Sequence, residues 1–184
     1  MRQLLWSTFL PWVRVPGAPV YGPVDAPADL PGYRPYVADH ELPGTTVDDI
    51  RARKVCTRIL AAEPERTAEA AALLDRLGLA HHGAADWTTV GEWLRDRPTD
   101  AATPSLVLDV GLLLGRRIVE ARDAARWLPD DDSTLAYPFI VLGLTPIALP
   151  LQAAEAGADL GAVLTTALEA QEETEDDEEL DESA

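Results

Sequence analysis

Asp109 stands alone in a run of apolar residues: Leu106, Val107, Leu108, Val110, Leu112, Leu113 and Leu114 surround it. A carboxylate in that company must be ion-paired, hydrogen-bonded or protonated. Protonated, it would be a poised acid with a raised pKa; paired with an arginine or a backbone group, it would be an anchor of the fold, and pairing is the expected role. His81 and His82 are adjacent, a pair that can bind a metal or sense pH. No Asp, Glu or Cys stands near them at ligand spacing, and the chain's third histidine is His40. No metal site is therefore expected. Asp130, Asp131 and Asp132 lack the alternating ligands and the glycine of a calcium loop and read as a polar turn. The single cysteine, Cys56, excludes an internal disulfide and a cysteine zinc site. It reads as a small buried hydrophobe. The chain contains no nucleophile elbow, phosphate-binding glycine loop or dinucleotide fingerprint. No cofactor and no catalytic residue are assigned.

These residues must be held by elements whose signals are readable. Thr45, with Asp48 three residues on, marks a helix start, and Ala52, Val55, Cys56, Ile59 and Leu60 form its apolar face. Pro64 reads as the first residue of a second helix, with Ala70, Leu73, Leu74 and Leu77 as its stripe and Gly78 just past its end. The two are expected to form an antiparallel hairpin. Asp86 or Thr88 caps a short third helix carrying Val90, Trp93 and Leu94, which Pro98 stops. Thr103 and Pro104 open a helix over residues 105–122 that is apolar around nearly its whole circumference and so belongs in the middle of a fold. Gly111 and Gly115 have the spacing that lets helices approach closely. Three short strands are expected at residues 125–128, 135–144 and 145–149, with Pro138 at an edge or a strand start. A last helix starts at Pro150 and carries Leu160, Val163, Leu164, Ala167 and Leu168.

The fold class is thus α+β: N-terminal helices, a buried central helix, a small antiparallel sheet and a closing helix. The 184 residues are 47% hydrophobic and 26% charged, the balance of a soluble globular chain. At this length about 70% of the unfolded surface can be buried. Three parts are expected: a proline-rich aromatic arm at 1–43, one α+β domain at 44–168, and a disordered acidic tail at 169–184. Eight of the 15 prolines lie in the arm, which forbids a long helix or a central strand there. Disordered segments are poor in aromatics, so the arm's Trp6, Trp12, Tyr33 and Tyr36 are expected either to pack on the domain or to dock on a partner.

Residues 133–154 carry no charge and are long enough to cross a bilayer, but Pro138, Pro146 and Pro150 interrupt them, and Asp109, Arg116 and Arg117 interrupt the leucine-rich helix. No membrane span is expected. The apolar run at 4–13 has the start of an export signal, but Pro11 breaks it and Arg14 follows; the cytoplasm is the expected compartment. The charge decides the partner class. Lys and Arg number 15 against 32 Asp and Glu, a net charge of -17, which repels nucleic acid and anionic lipid.

Leu108-Asp109-Val110-Gly111-Leu112-Leu113-Leu114-Gly115, followed by Ile118 and Trp127, resembles a group of small actinobacterial proteins of unknown function. These carry a D-x-G-x-x-L-G helix, a tryptophan strand and a further strand that begins near a proline. Trp93, Leu94 and Pro138 fit the same layout, and the resemblance covers about residues 85–170. That pattern often has an acidic residue after the second glycine, where Arg116 stands here. The resemblance implies an α+β arrangement and no activity.

The expected function is a non-enzymatic protein–protein interaction or regulatory protein that binds a basic partner. The alternatives are an enzyme whose site is assembled from Asp109, His81 and His82, and a structural component docked through Trp6 and Trp12.

Overall fold

The computed structural model describes residues 28–35, 49–81, 84–100, 102–129 and 138–171, without the side chains of 49–55, 81 and 84. Trp6, Trp12, Tyr36, His40, the Thr45 cap, His82, Asp130 to Asp132 and the tail beyond 171 lie outside the described residues.

The first element departs from the expected hairpin. One helix, α1, runs Asp49–Arg76 with Pro64 inside it. Its buried face is Cys56, Ile59, Arg66, Thr67, Ala70, Leu73 and Leu74. The step from Ile59 to Arg66 is two full turns, so this face passes Pro64 without losing phase. Pro64 itself is exposed. There the carbonyl left without its N–H can turn to solvent, and the break costs least. The Thr67 hydroxyl donates to the Glu63 carbonyl at 2.8 Å and holds the chain together across the proline. Pro64 alone makes the segment read as two helices, because proline suits the first turn of a helix better than its interior. The helix ends as expected: Gly78 has φ 71° and the Leu79 N–H donates to the Leu74 carbonyl at 2.9 Å.

A two-residue hairpin, β1 (Ala80–His81) and β2 (Ala84–Ala85), leads into α2, Trp87–Asp96. Asp86 caps α2, its carboxylate accepting from the Thr89 N–H at 3.3 Å and the Thr89 hydroxyl at 2.7 Å. The central helix α3 spans Thr103–Ala121. Its N-cap is Ala102, which offers no side-chain cap, and Asp100 holds the turn that leads in. The Asp100 carboxylate accepts from the Ala102 and Thr103 N–H groups at 2.8 and 2.9 Å, while the Asp100 N–H donates to the Thr103 hydroxyl at 2.8 Å. These are the reciprocal bonds of a capping box, made in the turn before the helix. Arg97 donates to Asp100 at 2.7 Å. Burial works against ionisation of Asp100, but Arg97, the Ala102 N–H and the Thr103 hydroxyl outweigh it and hold the carboxyl below its ordinary range. Asp100→Ala is expected to lower stability by about 1 kcal/mol, read as the shift in a urea unfolding midpoint.

α3 is buried all round over residues 108–115 and packs against α1, β3, α4 and α5. Strands β3 (Ala125–Leu128), β4 (Phe139–Leu142) and β5 (Thr145–Ala148) form an antiparallel sheet in the order β3-β4-β5. Trp127 stands opposite Ile140, and Leu142 opposite Thr145 across a two-residue turn with Gly143 at φ 63°. The expected last helix is two: α4, Pro150–Glu155, and α5, Leu160–Glu169. Gly157 at φ 64° stops the first. Asp159 starts the second by accepting from the Gly161 and Ala162 N–H groups at 2.9 and 3.1 Å. Arg122 donates to the Leu168 carbonyl and, at 2.7 Å, to the Ala170 carbonyl, closing the C-terminal end of α5.

The glycines of α3 do what their spacing suggests. A Cβ on Gly111 would lie 2.7 Å from the Leu151 Cα of α4, and one on Gly115 would lie 2.1 Å from the Trp127 ring. The five helices and the three-stranded sheet make an α+β fold that α5 closes. Among the described residues no helix is long and apolar enough to cross a membrane.

Candidate functional site

The residue that invited chemistry, Asp109, is fully buried. Arg66 of α1 reaches it across the α1–α3 contact, Nε donating to Oδ1 at 2.9 Å and Nη2 to Oδ2. The Tyr33 hydroxyl donates to Oδ2 at 2.5 Å. That uses the one phenolic proton, so the Ser105 hydroxyl, 2.9 Å away, is the donor to the Tyr33 oxygen. Arg66 Nη2 also donates to the Arg34 carbonyl at 3.0 Å, and its guanidinium lies 5.9 Å from the centroid of the Tyr33 ring. Burial pushes the Asp109 carboxyl up to about 6, and Arg66 and Tyr33 keep it from rising further. Burial works against the Arg66 charge, but Asp109 outweighs it and holds the guanidinium protonated. Near neutral pH this is an ion pair whose carboxylate accepts three hydrogen bonds from within the chain and faces no solvent. Such a group anchors the elements that bond to it.

What it anchors is a piece of the arm. Residues 28–35 form a strap whose Leu30 and Tyr33 are 0% and 1% exposed. Arg97 binds Asp29 at one end of the strap, and Glu69 accepts from the Arg34 N–H at 2.8 Å at the other. Leu30 and Tyr33, from the stretch expected as an arm, thus belong to the core. Tyr33, expected either to pack on the domain or to dock on a partner, faces the chain's own core, where its hydroxyl completes the shell of Asp109. His81 lies in β1, on neither α1 nor α3. Cys56 is buried on α1. Among the described residues no three His, Cys, Asp or Glu side chains gather as a metal ligand set.

The Tyr33 contact has a pH signature. Burial, first, and then the Asp109 charge push the phenol well above its ordinary range. A pKa raised in the folded state contributes stability that is complete below the unfolded value, about 10, and is lost as pH rises beyond it. Tyr33→Phe is expected to cost about 1 kcal/mol at pH 7. The difference between wild type and variant should then shrink by about 1.4 kcal/mol per pH unit above pH 10, measured by urea unfolding at several pH values.

The open feature of the molecule lies elsewhere. β5, α4 and α5 enclose a groove of about 830 Å³ that is open to solvent. Ile147, Ala148 and Leu149 line it from the β5 side, with Phe139 of β4. Ala153 and Ala156 line it from α4 and the turn after it, Ala162 and Val163 from α5. Only Gln152 and Thr166 add polar side chains. α5 has two apolar faces, since Leu160 and Ala167 are buried in the core while Ala162 and Val163 face the groove. Leu144, at the β4–β5 turn, is 83% exposed and Leu149 is 46% exposed.

Charge sets this part of the chain apart. Residues 1–126 contain 17 Asp and Glu against 15 Lys and Arg; residues 127–184 contain 15 Asp and Glu and no Lys, Arg or His. Every residue lining the groove comes from the second stretch. Exposed Glu155, Asp159 and Glu169 stand on and beside its helices. A smaller hollow of about 220 Å³ beside α1 and α3 holds Arg116, which is paired with Glu63, Glu120 and the Thr67 hydroxyl.

No family model, no curated protein and no solved structure matches the chain.

Proposed function

We propose that this chain is a non-enzymatic protein-interaction module that binds a basic protein through the groove formed by β5, α4 and α5. The observation that carries the reading is an open apolar groove of about 830 Å³ in a stretch of chain with 15 negative charges and no positive ones. Apolar surface left in a concavity favours burial by a partner. A net charge of -17 on the chain speeds encounter with a positively charged partner and repels acidic ones. Asp109 supports the same reading from the other side, because its bonds are spent on holding the strap and α1 to α3. We place the module in the cytoplasm, on the break of the apolar run 4–13 by Pro11 and Arg14.

Photocrosslinking in cells that express the chain tests this. A benzophenone amino acid at Ala162, in the groove, is expected to trap a basic protein. The same group at Glu92, exposed on α2, is expected not to trap it. Identical adducts from both positions would overturn the proposal.

A further inference from the structure

We propose that the segment received by the groove is an amphipathic helix with lysines or arginines flanking its apolar stripe. The inference rests on the function proposed above and names the form of the partner.

Two modes are available to a peptide beside a sheet edge: addition as a strand, or insertion of side chains. The β5 edge is poorly made for the first. Pro146 supplies no N–H in a strand of four residues, and a register shift leaves Ile147 without a place in the β4–β5 pairing. A proline and a bulge are the devices that blunt an edge against strand addition. The groove beside it suits the second mode. Its helical walls present Ala153, Ala156 and Ala162, small side chains that let another helix approach closely. Ile147, Leu149 and Val163 supply the apolar surface between which a stripe at i, i+3, i+4 and i+7 can settle.

The charge selects among occupants. A second copy docked groove to groove would bring a chain of the same net charge, -17, against the first, and like charges repel. The chain's own apolar run at 4–13 contains Pro11, which breaks a helix, and no lysine. A helix with basic flanks meets a chain of net charge -17 favourably, and one with acidic flanks does not.

The test uses the full chain and three labelled peptides of about 18 residues, or about 27 Å as helices. One carries leucines on a single helical face with lysines elsewhere. The second has the same composition scrambled so that no face forms, and the third replaces every lysine by glutamate. Fluorescence anisotropy at low and at physiological salt gives the affinities. The first peptide is expected to bind at least about tenfold more tightly than the second, with its preference persisting at physiological salt, and the third is expected not to bind. Ala162→Trp and Thr166→Trp, at exposed positions on the groove wall, are expected to weaken the first peptide about tenfold while leaving the thermal midpoint unchanged. Equal binding of the first and second peptides, weakened alike by the tryptophans, overturns the helical form and leaves the groove standing. Binding that neither tryptophan weakens overturns both this inference and the function beneath it.

Discussion

Asp109→Leu is expected to lower the stability of the chain by about 3–5 kcal/mol, and Arg66→Met by a similar amount, because each leaves the other charge buried without its partner. The effect is large because the pair is central. It joins α1 to α3, and through Tyr33 and the Arg34 carbonyl it joins the strap to both. The two losses are not additive, since either substitution removes the same interaction. Arg66→Met with Asp109→Leu should therefore recover most of what each single change loses, as apolar replacements of a buried pair commonly do. Urea unfolding of the four proteins, followed by circular dichroism, measures this cycle. Two single losses that sum in the double variant would mean that the residues do not act as a pair.

Gly115→Ala and Gly111→Ala are each expected to cost about 2–3 kcal/mol, toward the top of the range for overpacked cores. Alanine is the better helix former by about 1 kcal/mol, so an exposed glycine changed in this way would gain stability. Here the added methyl has no room. At Gly115 it would stand 2.1 Å from the flat ring of Trp127, and at Gly111 it would meet the backbone of α4 at Leu151. A ring can be removed where a backbone cannot move away. Trp127→Leu should therefore make Gly115→Ala nearly neutral or favourable and should leave the cost of Gly111→Ala in place. Unfolding midpoints of the single and double variants decide it.

These two sets of residues show how far the residue pattern alone reaches. The leucine-rich helix, its all-round burial, the sheet and the close approach at Gly111 and Gly115 follow from periodicity and from what glycine permits. That Asp109 needs a partner also follows from its apolar neighbours. Which partner does not. Arg66 is 43 positions away and Tyr33 is 76 away in the other half of the chain, and local pattern carries no information about contacts closed by the fold. Pro64 makes α1 read as two helices, since a proline is at home in the first turn of a helix and costly inside one. Arg66 and Thr67 sit on the buried face of the single helix. The phase from Ile59 through Arg66 to Ala70 and Leu73 was the available signal. The break at Gly157 was legible in principle, as a glycine followed two residues later by a capping aspartate. The groove was not legible, because its wall is made of alanines that look like ordinary helix formers until α4, α5 and β5 are set side by side.

The central claim is that the chain acts through this groove and not through its buried carboxylate. Methyl NMR spectra of the full chain, labelled at alanine, isoleucine and valine and titrated with the leucine–lysine helical peptide, test it most directly. The account predicts saturable shifts at Ile147, Ala153, Ala162 and Val163, with the core methyls of Ala70, Ala102 and Val110 on and beside the helices that carry Arg66 and Asp109 unmoved. Shifts centred on Ala70, Ala102 and Val110, with the groove methyls silent, would contradict it.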